Sequence, residues 1–220
     1  MARRRVDGTQ TFGRQRSRRE TRTRILVLCE GAVTEAEYLK DFASELKDPL
    51  VHVEIDSQGD VPQKLMNRAV KRKRHADQRS DRLQDEFLRY NEVWCVFDVD
   101  EHSRLDDVRH RAQANGIHVA ISNPCFELWA LLHFADQAAF VTRTEARSLL
   151  RRHLPRFHKA LPFGRLRPGY LTAVQRARGL DRQRENANDP GGNPSTGVYR
   201  LTERIRQGGK GSSEESLLSP

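Results

Sequence analysis

Four apolar runs, each too short for a buried helix and each followed by an amphipathic segment, constrain the fold of this chain most. ILVLCEG (25–31), LVHVEI (50–55), VWCVFDVD (93–100) and IHVAIS (117–122) have the length and composition of strands. The first and third are apolar on both faces, as in a parallel sheet covered on two sides. Between them, TEAEYLKDFASEL (34–46) sets Tyr38, Leu39, Phe42, Ala43 and Leu46 at helical spacing behind a capping box of Thr34 with Glu37. VPQKLMNRAVKRKRH (61–75) carries Val61, Leu65, Met66, Ala69 and Val70 on one face, and a short helix is expected over 82–90. LDDVRHRAQANG (105–116) closes on Asn-Gly, and PCFELWALLHFA (124–135) reads as a helix starting at Pro124 with Asn123 as its N-cap. Strand and helix alternate four times. That order predicts an α/β fold with a roughly four-stranded, mainly parallel sheet flanked by helices, its ligand crevice at the carboxyl ends of the strands.

From residue 142 onward the pattern changes to helices. A second capping box, Thr142 with Glu145, opens 142–154, and further helices are expected near 170–186 and 198–207 around the breaker-rich NDPGGNPSTG (188–197). The chain thus divides into an Arg-rich arm (1–23), expected to be disordered, an α/β domain (24–141), a basic helical extension (142–207) and a tail (208–220). No internal repeat is present.

The net charge of +9 suggests a uniformly basic binder, but its distribution does not. Residues 1–24 hold nine Arg against Asp7 and Glu20, a surplus of +7, so the remaining 196 residues carry only +2. Within them, acidic 25–63 (−7) and 83–142 (−6) alternate with basic 64–82 (+6) and 143–184 (+10). Such blocks either hold an anionic partner or form solvated faces paired to one another. No apolar run approaches the ~18 residues of a membrane-spanning helix, and the N-terminus lacks the apolar stretch of a signal peptide. The expectation is a soluble, cytoplasmic protein without membrane attachment. Cys29, Cys95 and Cys125 form no C-x-x-C pair, which fits a reducing compartment and argues against a cysteine zinc site.

Three carboxylates mark strand ends: Glu30 after the first run, Asp98 and Asp100 at the end of the third. If those strands are neighbours, the three converge on one crevice. Alternation puts Asp98 and Asp100 on the same side, where they can chelate a cation, and Mg2+ (or Mn2+) suits carboxylates that leave room for water and phosphate oxygens. A cluster of this kind repels itself unless a cation offsets it.

These residues also carry a resemblance. A hydrophobic strand ending in Glu-Gly, then a later one ending in D-x-D, is similar to the Toprim domain of topoisomerases, primases and OLD-type nucleases. More narrowly, CEGAVTEAEYL (29–39), FDVDEH (97–102), SNPCFELWALLHF (122–134) and NPSTGVYRLTERI (193–205), in that order, resemble the RloB family of Toprim-like proteins. The resemblance implies a metal-dependent nuclease fold in bacterial restriction or phage-defence loci, often encoded beside an ATPase. It implies that Glu30 is the general acid/base of phosphoryl transfer and that Asp98 and Asp100, with Glu30, hold Mg2+.

Around that motif other residues have two readings each. Glu35 is a further ligand or a surface or capping acid, and His102 a proton donor or phosphate contact or a surface histidine. Glu127, an acid in an apolar helix, needs a partner: a metal, an arginine, or the free N–H groups of its own first turn, so it either joins the metal site or has a structural role. His133 and His52 read as packed or rim histidines. Because a carboxylate site repels phosphate, substrate must be held by cationic flanks: Lys71, Arg72, Lys73 and Arg74, then Arg143, Arg147, Arg151, Arg152, Arg156 and Lys159. The alternative for these is internal salt bridges. Ser195 and Thr196, ahead of Val198, form a helix start that binds phosphate or is an ordinary cap. Aromatic residues are only 7% of the chain, which disfavours a stacking-based single-strand binder. No P-loop, G-x-G-x-x-G, G-x-S-x-G or H-E-x-x-H motif is present.

The expectation is therefore a Mg2+-dependent nuclease acting on DNA or RNA in phage defence. Its rivals are a non-catalytic nucleic-acid-binding or regulatory subunit working with an ATPase, and a Toprim nucleotidyltransferase. The sequence leaves association into an oligomer open.

Overall fold

A computed structural model describes residues 23–46, 48–99, 105–156, 158 and 160–208. Residues 1–22 of the arm, the tail beyond residue 208, Asp100, His102 and Lys159 lie outside the described residues, while Thr23, expected in the arm, opens the first strand. The first apolar run is strand β1 (Thr23–Cys29), followed by α1 (Thr34–Leu46), β2 (Val51–Ser57), α2 (Pro62–Leu83), β3 (Glu92–Asp98), α3 (Leu105–Ala114) and β4 (His118–Asn123). The later part holds α4 (Phe126–Leu132), α5 (Arg143–His153), α6 (Phe163–Leu166), α7 (Tyr170–Asn186), β5 (Ser195–Thr196) and α8 (Val198–Arg206).

The sheet runs β2-β1-β3-β4-β5, with the first four strands parallel and β5 antiparallel to β4. The α/β architecture is as the alternation predicts, with five strands in place of four. The fifth is two residues long and comes from the segment expected to start a helix. β1 and β3 are neighbours, and the order reverses between them. At such a switch point the loops leaving two strands diverge and open a crevice.

Alternation along the strands divides the core in two. Ile25, Val27 and Cys29 with Trp94, Val96 and Ala120 face α1, α4, α5, α7 and α8. Leu26, Leu28, Val93, Cys95 and Phe97 face α2 and α3 through Leu65, Met66, Ala69, Val108 and Ala112. The helices of 142–207 thus share one hydrophobic core with β1, β3 and α1. Three cysteines are free and buried. Among the described residues no helix is long and apolar enough to cross a membrane.

Three local expectations shift. α2 continues to Leu83, and only a single 3-10 turn (Glu86–Leu88) follows where a separate short helix was expected. α1 begins at Thr34 itself, one residue ahead of a Thr34 N-cap. The helix expected to start at Pro124 with Asn123 as its cap instead has Cys125 as N-cap. Asn123 is engaged elsewhere: it pairs with Ser195 in the sheet, and its side-chain amide donates to the Gly191 carbonyl at 3.0 Å.

The end of α4 anchors a ring cluster around Tyr38, which is buried against Phe126, Phe163 and His133 at centroid distances of 5.6, 5.5 and 5.9 Å. His133 is the packed histidine expected. Its Nδ1 lies 2.9 Å from the Trp129 carbonyl and its Nε2 3.2 Å from the Tyr38 hydroxyl. A carbonyl only accepts, so Nδ1 carries the proton and Tyr38 donates to Nε2. Burial lowers the His133 pKa to about 4, keeping the ring neutral. His52 is exposed on the edge strand β2.

Candidate active site

The cleft at the switch point, about 330 Å³, is lined by Glu30, Gly31, Ala32, Val33, Thr34, Glu35, Asp98, Glu127, Arg143, Arg147, Arg151 and His158. β1 delivers its acid directly. The Glu30 amide donates to the Val96 carbonyl at 2.9 Å, continuing the ladder, and its Oε2 accepts from the Asp98 amide at 3.3 Å. Asp98 ends β3 on the same face as Trp94 and Val96, so its carboxylate turns toward α5. There it accepts from Arg143 Nη2 at 2.9 Å and is 7% exposed.

Glu35 enters from the first turn of α1 and is 7% exposed. Its carboxylate lies over Gly31, where a β-carbon would overlap its oxygens. The glycine of the Glu-Gly motif therefore provides room for a second acid, and not backbone freedom. Burial raises the Glu35 pKa above its usual range. The charges of Glu127 and Glu30 push the same way, against the helix backbone and Arg143.

Glu127 is 5% exposed on α4. Of the partners expected for it, an arginine is the one found: Arg147 Nε donates to its Oε1 at 2.7 Å. A planar guanidinium brings both the opposite charge and a directed donor to this buried carboxylate. Burial, reinforced by Glu127 and Asp98, holds the neighbouring Cys125 thiol well above its ordinary pKa. It is thus a poor nucleophile.

α5 is fixed at its start by two devices. Thr142 and Glu145 form the expected capping box. The Asn193 side chain clamps Val141, accepting from its amide at 3.0 Å and donating to its carbonyl at 2.8 Å. Arg143 becomes the first helical residue, and Arg143, Arg147 and Arg151, four apart, share one face toward the cleft. That spacing is the signal for Arg143 as a partner of the carboxylates, a role beyond its place in the basic flank. His158, exposed in the following connection, also lines the cleft and had no sequence signal.

Four of the expected acids, Glu30, Glu35, Asp98 and Glu127, meet here with Arg147 and Arg151. Asp100 and His102 fall outside the described residues, and Arg152 is exposed on α5 but does not line the cleft. The Lys71–Arg74 block sits on α2, against the opposite face of the sheet. Arg72 is bound there to Glu54, to Asp56 at 2.9 Å and to the Tyr90 hydroxyl at 3.1 Å, and Lys73 lies 3.4 Å from Asp77. These two follow the salt-bridge reading, whereas Lys71 and Arg74 are exposed. Ser195 and Thr196 are buried in β5, and the Thr196 hydroxyl bonds Ser122 Oγ at 2.9 Å. They pin the sheet edge, and the Val198 amide that opens α8 donates to the Thr196 hydroxyl at 3.4 Å, which follows the ordinary-cap reading.

The buried donors of the cleft are carboxylate oxygens, the set a hard divalent cation prefers, and Glu35 crowded by Glu127 and Glu30 is what a cation would relieve. Among the described residues no three His, Cys, Asp or Glu side chains are already placed to hold a metal ion.

A family model described as RloB-like protein matches residues 25–205. No curated protein and no solved structure matches the chain.

Proposed function

The chain belongs to the RloB-like family, and on that premise we propose that its cleft is the active site of a metal-dependent nuclease that hydrolyses phosphodiester bonds of DNA or RNA. The observation that carries the reading is Glu30 and Asp98 side by side at the switch point, with Glu35 and Glu127 behind them and an arginine row opposite. Glu30 and Asp98, with Asp100 from the same motif, would hold Mg2+ or Mn2+. The ion would neutralise charge on the phosphate and acidify a bound water. Glu30, oriented by the Asp98 amide, accepts the proton of the attacking water. The α5 arginines offset the charge gathered on the phosphate oxygens. The reading extends to phage defence beside an ATPase, as the resemblance implies.

Asp98→Asn keeps the size and the Arg143 contact but removes the charge. Cleavage of DNA and RNA panels in Mg2+ or Mn2+ is expected to fall about 100-fold in this variant, and to vanish for the parent in a chelator. Equal activity of parent and variant overturns the metal assignment. The arginines seated on Asp98 and Glu127 favour a second reading, a nucleic-acid-binding subunit without chemistry. Calorimetric Mg2+ titration separates the two: in the second reading, parent and Asp98→Asn take up the ion equally poorly.

A further inference from the structure

The three cleft arginines are not in the same state. Arg143 and Arg147 are seated on Asp98 and Glu127. Arg151, two turns beyond Arg143 on the same face, is exposed and pairs with no carboxylate among the described residues. Successive members of the row are ~6 Å apart along the helix axis, a spacing of the same order as that between consecutive phosphates of one nucleic-acid strand. We propose that α5 is the phosphate-reading helix of the cleft and that its arginines are shared between two ligands. Arg151 holds a strand phosphate at all times. Arg143 and Arg147 release Asp98 and, as a ligand added to those of the nuclease reading, Glu127 to a divalent cation and turn to the adjoining phosphates. This rests on the nuclease reading for the identity of the strand, but not on cleavage.

The arrangement makes cation and strand cooperative. Without cation, moving Arg147 to a phosphate strands a buried Glu127; with cation, that cost is offset. The coupling is reciprocal, so the cation must tighten strand binding by the factor by which the strand tightens cation binding.

The full chain is titrated with a fluorescent single-stranded DNA and the matching RNA, in Ca2+ and in chelator, across a salt series. Arg151→Ala leaves no buried acid behind, and its slope of log affinity against log salt is expected to fall by about 0.7, one phosphate contact, in both conditions. Arg147→Gln combined with Glu127→Gln removes the pair without leaving a buried charge, and is expected to shrink the Ca2+-induced gain in affinity. An unchanged slope in the first variant overturns the phosphate-reading role of Arg151. A full Ca2+ gain in the double variant overturns the exchange. A protein that binds as described but cuts nothing retains the inference and loses only the nuclease reading. If only one of DNA and RNA shows the effects, that polymer is the ligand.

Discussion

Gly169→Ala is expected to destabilise the protein by about 3 kcal/mol, the upper end of the usual cost of overpacking. Gly169 is the N-cap of α7, with φ of −89°, a conformation open to any residue. The constraint is distance. A β-carbon there would stand 2.9 Å from the His133 carbonyl carbon and closer still to its oxygen, and backbone at the end of α4 cannot rotate away as a side chain tip would. For a domain of this size the thermal midpoint should drop by roughly 6 to 12 °C. Gly179 is the control: in the same helix, a β-carbon there meets nothing within 4 Å, so Gly179→Ala should raise stability by about 0.5 to 1 kcal/mol. Equal midpoints for the two variants would show that α4 and α7 are not in contact at that point.

Acid should unfold the protein through the same corner of the structure. The core accepts His133 only as a neutral ring, so the unfolded chain takes up its proton near 6.5 and the folded chain not until about 4. The stabilisation is complete above pH 6.5 and is lost as pH falls toward 4, by about 3 kcal/mol. Glu35 works in the opposite sense: its raised pKa means that the fold disfavours its charge, so acid relieves it. Denaturant unfolding at several pH values, compared between the parent and His133→Gln, isolates the histidine. Glutamine keeps a group for the Tyr38 hydroxyl but does not titrate, so its stability should fall less between pH 6.5 and 4. Parallel profiles would refute the buried neutral ring.

The parts of this fold written in periodicity were legible in the sequence. β1, β3 and α1 could be placed from apolar spacing, and the neighbouring of β1 and β3 was the condition under which Glu30 and Asp98 had to meet. β5 was not legible, because two residues have no period; Ser195 and Thr196 are strand only because Ser122 and Asn123 offer them an edge. Of the acids, Glu127 was visible as an anomaly in an apolar helix. Its partner was not, since Arg147 is twenty residues away and reaches it only once α5 is seated by Thr142 and Asn193. Lys71 to Arg74 show the converse: a run of bases conspicuous in one dimension, of which Arg72 and Lys73 are taken up by neighbouring acids on the far side of the sheet.

The shared core on the α1 face bears on how such a protein can change over generations. The acids of the cleft come from residues 30–127 and the arginines facing them from residues 143–151, yet Val27, Trp129, Leu150 and Ile205 belong to one packed interior. A recombination event at residue 141 would therefore strip the interior of its cover while separating the two charge sets. Acid and base sides of this cleft stay matched only together, and tuning them to a new ligand calls for point substitution along α5, not exchange of modules.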